Sequence, residues 1–296
     1  MAATCLHYGQ ECFEGLKAYR GKDNKIRVFR WEENVNRLST SAEYILMPKL
    51  PKEIFFEALQ TVIKKNEEFI PPYGTGASLY IRPLIIGIEP KVGLNPSSEY
   101  LFIMFVTPVG PYFKGGFKLS NVVVERDSDR AAPLGTGHIK VGGNYAASVK
   151  VTVRAHEQGY SSALYLDPKE KKYIDECGPA NFFAIRGNSY ITPSSHSILP
   201  SITNDSIQTI ATDLGMKVEK RNVGFDELET FDEVGQCGTA AVISPIGKIV
   251  DIKNDKIYNF SKDGKPGPYC QKLYETIVGI QYGEIPDKFN WTTIIE

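Results

Sequence analysis

SSALYLDPKEKKYIDECGPANFFAIRGNSYITP, residues 161–193, is the stretch whose reading decides the fold class. Within it SALYLD, KKYID, NFFAI and SYITP are short segments rich in β-branched and aromatic residues, so four strands follow one another in quick succession. Strands clustered as hairpins, with helices set apart from them, indicate an α+β chain rather than a doubly wound sheet.

Upstream, IRVFR (26–30) alternates as a strand, and NVNRLSTSAEYI (34–45) and KEIFFEALQTVIKKNEEF (52–69) carry apolar residues at helical spacing. ASLYIRPLIIGI (77–88) and EYLFIMFVT (99–107) read as buried strands. PVGPYFKGGFK (108–118) then interrupts the pattern with prolines and glycines and reads as a linker. Beyond it come the strand FKLSNVVVE, the helix YAASVKVTVRAHEQG, the four strands above, the helix NDSIQTIATDLG, the strands KVEKRNV and TAAVIS, and a last helix, PYCQKLYETIVGIQYG. The expected organisation is a small α/β domain over 1–109, an interdomain loop over 110–118, and a larger domain over 119–296 with a hairpin-rich, barrel-like sheet.

Composition narrows the function classes. With 42% apolar and 23% charged residues the chain is of ordinary globular type, and a formal net charge of −1 gives no field for nucleic acid or an anionic membrane. The longest apolar runs are far too short to span a bilayer. MAATCLHYGQ has neither a basic nor an apolar signal region, and five cysteines without a CxxC fit reduced thiols, so a cytoplasmic location is expected. There is no P-loop, because Gly110-x4-Gly115 is followed by Gly116, and no G-x-G-x-x-G. The four histidines are scattered and HEQGY lacks a second histidine, so no metal site is expected.

One lysine stands out. In HIKVGGNYAAS (138–148), Lys140 lies between Ile139 and Val141 and before two glycines. An ammonium in an apolar niche loses hydration, its pKa falls, and the amine becomes a nucleophile. Taken alone, the stretch fits better a lysine whose stem packs while its head stays wet. ILPSITNDSI (198–207) runs from a turn into a helix whose N-terminus suits a phosphate, and CGTAA (237–241) puts Gly238 and Thr239 at the head of a strand. A phosphate site, a dry lysine, a tyrosine and a carboxylate together suggest pyridoxal phosphate.

HYGQECFEGLKAYRG, SLYIRPLIIG, VGPYFKGG, GHIKVGGNYAAS, YIDECGPANFF, ITPSSHSILPSITNDSI and GTAAVISPI resemble, in order and over essentially the whole chain, the branched-chain amino acid aminotransferases, which are fold-type-IV pyridoxal-phosphate enzymes. The resemblance implies that Lys140 binds the cofactor covalently and shuttles the proton, that Tyr145 hydrogen-bonds its phenolic oxygen, and that Glu176 pairs with its ring nitrogen. It implies a phosphate held by Arg37, Arg130, the Ile202–Thr203 amides and Thr239. Substrate recognition would fall to Tyr8, Phe13, Tyr80, Arg82 and the Thr239–Ala240 backbone, with Tyr112 closing over the site. Val92 and Leu94 would reach a partner's pocket, so a homodimer is implied. Tyr80 and Arg82, two apart on a strand, face the same way, and a buried Arg82 calls for an anion such as a substrate carboxylate.

Three departures qualify the match. The family's small domain begins some tens of residues upstream, so an N-terminal segment is expected to be missing. Pro179 stands where relatives carry a polar residue, and Ala241 and Ser244 replace a CxxC found in mammalian members. In KKYIDE, strand alternation makes Asp175 a solvated surface acid if Glu176 faces the cofactor. The expected reaction is transamination of leucine, isoleucine and valine with 2-oxoglutarate. D-amino acid aminotransferase and aminodeoxychorismate lyase share the lysine and glutamate and stand as alternatives, as does a non-enzymatic binding protein on the same scaffold.

Overall fold

The computed structural model describes residues 1–111 and 117–296. The chain divides into two compact units: Met1–Tyr112 with Ile139–Gly143 and Val278–Glu296, and Phe113–His138 with Asn144–Ile277.

The first unit opens with a short helix α1 (Thr4–Tyr8) and strands β1 (Glu11–Phe13), β2 (Leu16–Arg20) and β3 (Ile26–Phe29), followed by helices α2 (Trp31–Tyr44) and α3 (Lys52–Lys64) and strands β4 (Ser78–Gly87) and β5 (Tyr100–Val109). The long strand β4 pairs antiparallel with β1, β2 and β5. Its accessibility alternates residue by residue, so Leu79, Ile81 and Ile85 are buried while Tyr80 and Arg82 share the other face. The buried face is covered by the apolar stripes of the two long helices, Val35, Leu38 and Ala42 from α2 and Phe55, Leu59 and Ile63 from α3. α2 begins earlier than its apolar spacing suggests, because Arg30 takes a left-handed conformation (φ 48°) and turns the chain directly from strand into helix.

The second unit carries β6 (Ser120–Glu125), α4 (Gly142–Glu157, entering from the first unit's Ile139–Gly143 segment), β7 (Ser162–Leu166), β8 (Ile174–Cys177), β9 (Ala180–Arg186), β10 (Ser189–Pro193), α5 (Ile202–Asp213), β11 (Lys217–Arg221), β12 (Glu233–Gly238), β13 (Val242–Asp251), β14 (Lys256–Asn259) and most of α6 (Pro268–Tyr282). The strand order β9-β12-β13-β6-β7-β8 returns to β9 through a β8–β9 pairing. Six strands therefore close into a barrel, which removes their edges from water. Val122, Leu164, Phe182, Val234 and Ile246 belong to one buried cluster, while α4 packs through Val151 and Ala155 on Val123, Ala163 and Tyr165. The α+β class and the barrel-like sheet of the larger domain are thus present.

The last strand, β15 (Thr292–Ile295), pairs antiparallel with β3. The C-terminal segment and Ile139–Gly143 therefore join the first unit, although the linear reading placed both in 119–296. Proximity in sequence put them there, whereas sheet pairing and the packing of Ile139 and Val141 decide otherwise. Among the described residues, no helix is long and apolar enough to cross a membrane.

Candidate active site

Lys140 is fixed by its own backbone. Its N–H donates to Ser41 Oγ (2.9 Å), its carbonyl accepts from the Phe13 N–H (3.1 Å), and Val141 bridges Cys12. With Ile139 and Val141 both buried, the side chain is directed to where Nζ lies 4.9 Å from the centroid of the Phe13 ring. Lost hydration pulls the amine down from 10.5 to about 8; the Arg37 and Arg82 charges add to this, and Glu14 and Tyr80 oppose it.

Beside the lysine is an acid that the sequence reading did not single out. Glu14 is fully buried and receives Arg37 in a two-point contact, Nε to Oε1 at 2.7 Å and Nη2 to Oε2 at 2.8 Å, with Asn34 Nδ2 at 2.7 Å as a further donor. These contacts hold its carboxyl below the usual range against the opposing effect of burial. Arg37, expected on a phosphate, also has this carboxylate as a partner, through Nε and Nη2. A lone acid inside CFEGL was the available signal, by the same logic that singled out Lys140.

Tyr80 and Arg82 lie together as strand alternation requires. Arg82 Nη2 donates to the Tyr80 hydroxyl (3.0 Å), and its guanidinium stacks 4.7 Å from the Phe13 centroid. Arg82 Nε is buried with no hydrogen-bond partner among the described residues. Gly15 makes room for this arrangement, since a Cβ there would overlap the Tyr80 hydroxyl. Phe13, Tyr80, Arg82 and Lys140 therefore form one cluster. Tyr8 lies apart from these contacts: it is exposed and donates to the Val92 carbonyl, and Val92 and Leu94 are 80% and 81% exposed. Tyr112 lies outside the described residues.

The second unit holds another polar cluster. Glu176 is buried, its Oε1 accepts the Leu199 N–H (2.5 Å), and Arg130 Nη2 is 3.4 Å from the same oxygen. Arg130 also donates to the Gly137 carbonyl (2.7 Å) and to the Ser197 carbonyl, and its Nε is buried with no partner among the described residues. Ile202 and Thr203 open α5, whose cap Ser201 accepts from the Asn204 N–H (3.1 Å). Half-buried Tyr145 sits in the first turn of α4. Thr239 and Ala240 lie in the three-residue turn joining β12 to β13, not at the head of a strand as expected, because Gly238 already pairs with Val242.

Asp175 corrects the strand argument. It was expected to be solvated, yet it is 2% exposed and accepts from Ser195 Oγ (3.0 Å) and Ser197 Oγ (2.5 Å). Alternation does place it opposite Glu176, but inside a closed barrel wall the far face is covered as well.

The class IV amino-transferase model matches residues 11–249. A branched-chain-amino-acid aminotransferase of Haemophilus influenzae is 47% identical over 301 residues, covering 99% of this chain and 87% of that protein. One of Helicobacter pylori is 49% identical over 289 residues, covering 97% and 84%. The chain belongs to the branched-chain aminotransferase family. The solved branched-chain amino acid aminotransferase of Thermobaculum terrenum, in its PLP-form, superposes with a TM-score of 0.83 at 27% identity, covering 100% of this chain and 92% of that one. In this aminotransferase the sequence motifs therefore converge on two clusters, one around Lys140 and one around Glu176 and Arg130.

Proposed function

We propose that the protein transfers the amino group between L-leucine, L-isoleucine or L-valine and 2-oxoglutarate, using pyridoxal 5'-phosphate held through Lys140. The observation that carries this reading is the dry amine of Lys140, with a pKa of about 8, over the Phe13 ring and near the charge of Arg82.

The donor set suits the cofactor. Arg130 keeps a buried, unpartnered Nε, the capped N-terminus of α5 offers amides for an anion, and the buried Glu176 carboxylate suits a protonated ring nitrogen. When bound, the cofactor supplies an electron sink for the charge that develops at the substrate Cα. Arg130, Arg37, the Ile202–Thr203 amides and Thr239 hold the phosphate, Tyr145 donates to the phenolic oxygen, and Glu176 keeps the proton on the ring nitrogen. Lys140, in its neutral amine form, moves the proton at Cα.

Arg82, prepositioned by Tyr80 and Phe13, takes the substrate carboxylate through its guanidinium, whose buried Nε has no partner among the described residues. The Thr239–Ala240 backbone, Tyr8 and Tyr112 complete the contacts to the substrate. Val92 and Leu94 of a second copy belong to the same pocket, so the working form is a homodimer, located in the cytoplasm. The second unit supplies Tyr145, Glu176, Arg130, the Ile202–Thr203 amides and Thr239 to the cofactor, and the first supplies Lys140 and Arg37.

Replacing Lys140 by alanine tests the reading. Lys140→Ala should abolish leucine transamination, and the purified wild type should absorb above 400 nm where the variant does not. Leucine turnover near the wild-type rate in Lys140→Ala would sink the proposal, and turnover of D-alanine in preference to leucine would redirect it.

A further inference from the structure

The segment Ser195–Leu199 holds both charged partners of the second cluster: its Ser197 carbonyl accepts from Arg130, and its Leu199 N–H donates to Glu176. What holds the segment is Asp175. Its two carboxylate oxygens take one hydroxyl each, Oδ1 from Ser195 and Oδ2 from Ser197, and the two hydroxyls are themselves 2.7 Å apart. The Ser195 hydroxyl also accepts the Ser197 N–H (3.2 Å), so the carboxylate fixes the backbone as well as the side chains. Asp175 and Glu176 are adjacent on β8 and point to opposite sides of it, so one short strand grips the segment at Ser197 on one side and at Leu199 on the other.

We propose that Asp175 is a positioning residue for the transamination site: through Ser195 and Ser197 it sets the Ser195–Leu199 backbone, and thereby the placement of Glu176. A buried carboxylate is costly unless its oxygens are satisfied, and two hydroxyl donors meet that need beside the charge of Arg130. The acid at this position is therefore bound to the serines and not exposed to solvent. The inference rests on the proposed role of Glu176 beside the ring nitrogen, and its test separates the two.

The holoenzyme is prepared as wild type, Asp175→Asn, Ser197→Ala, Glu176→Gln and the double variant Asp175→Asn/Glu176→Gln. Two quantities are read: the single-turnover rate with leucine, and the 15N chemical shift of ring-labelled cofactor. Asp175→Asn and Ser197→Ala should each slow the half-reaction about tenfold, the scale of one lost charge-assisted hydrogen bond, with leucine affinity nearly unchanged. Both should move the ring-nitrogen shift in the same direction as Glu176→Gln. In the Glu176→Gln background, Asp175→Asn should cost less than twofold further, because its effect runs mainly through that glutamate. Wild-type rates in Asp175→Asn and Ser197→Ala beside a slow Glu176→Gln would overturn the inference and leave the role of Glu176 standing. An equal tenfold loss in both backgrounds would also overturn it. Should Glu176→Gln itself react at the wild-type rate, the role of Glu176 falls and the inference falls with it. Ser197→Ala, which removes only a hydroxyl, keeps the test available if Asp175→Asn does not fold.

Discussion

The dry amine of Lys140 should cost the cofactor-free protein stability, and Lys140→Met measures that cost. In the unfolded chain the amine titrates near 10.5, and in the folded protein it titrates near 8. Between those values the unfolded state binds more protons than the folded one, so stability rises with pH through that window. Below pH 8 the whole penalty is present, and the difference of about 2.5 units corresponds to about 3 kcal/mol. Methionine fills much of the lysine stem's volume without a charge, and Glu14 keeps Arg37 as its partner when the lysine is gone. Apo Lys140→Met should therefore be more stable than the apo wild type by about 3 kcal/mol at pH 7, with the gap closing toward pH 10.5. Urea unfolding followed by intrinsic fluorescence at pH 7 and pH 10 reads both midpoints, and the other titrating groups cancel between the two proteins. A Lys140→Met protein less stable than wild type at pH 7, or a gap that does not change with pH, would refute the reasoning.

Two further outcomes follow from the same geometry. Arg82→Gln should lower kcat/KM for leucine and for glutamate together by roughly thirtyfold to a hundredfold, from the loss of about 2–3 kcal/mol of charge-assisted binding; unchanged values for both would make Arg82 structural. Leu94 is 81% exposed, so Leu94→Asp should leave the folding of a single chain intact while weakening both association and activity. A fully active monomer of the wild type in sedimentation would contradict the assignment of Leu94 to a partner's pocket.

What could be read from the sequence was what short-range periodicity encodes. Alternation in SLYIRPLIIG put Tyr80 and Arg82 on one face, and the structure joins them by a hydrogen bond. The apolar flanks of Lys140 left both a dehydrated amine and a wet head open, and burial of Ile139 and Val141 in the core favours the first. The hairpin run over 161–193 announced the α+β class, and three of its four strands, β7, β8 and β9, form part of the barrel. Other features were out of reach. ECF and EVGQCG carry too few apolar residues to read as strands, yet they are β1 and β12, because their neighbours in the sheets supply the burial.

By itself, then, the sequence determined the family to which the chain belongs, through motifs in order along it, and which strand faces residues such as Tyr80 and Arg82 share, through a period of two. The tertiary structure alone decided that Arg37 meets Glu14, that β15 returns to β3, and that Asp175 is buried among serines rather than solvated. Each of these is a pairing of groups separated along the chain, and it depends on barrel closure and sheet register. No local pattern encodes such a pairing, because a strand's alternation says that its faces differ and not what will come to cover each of them.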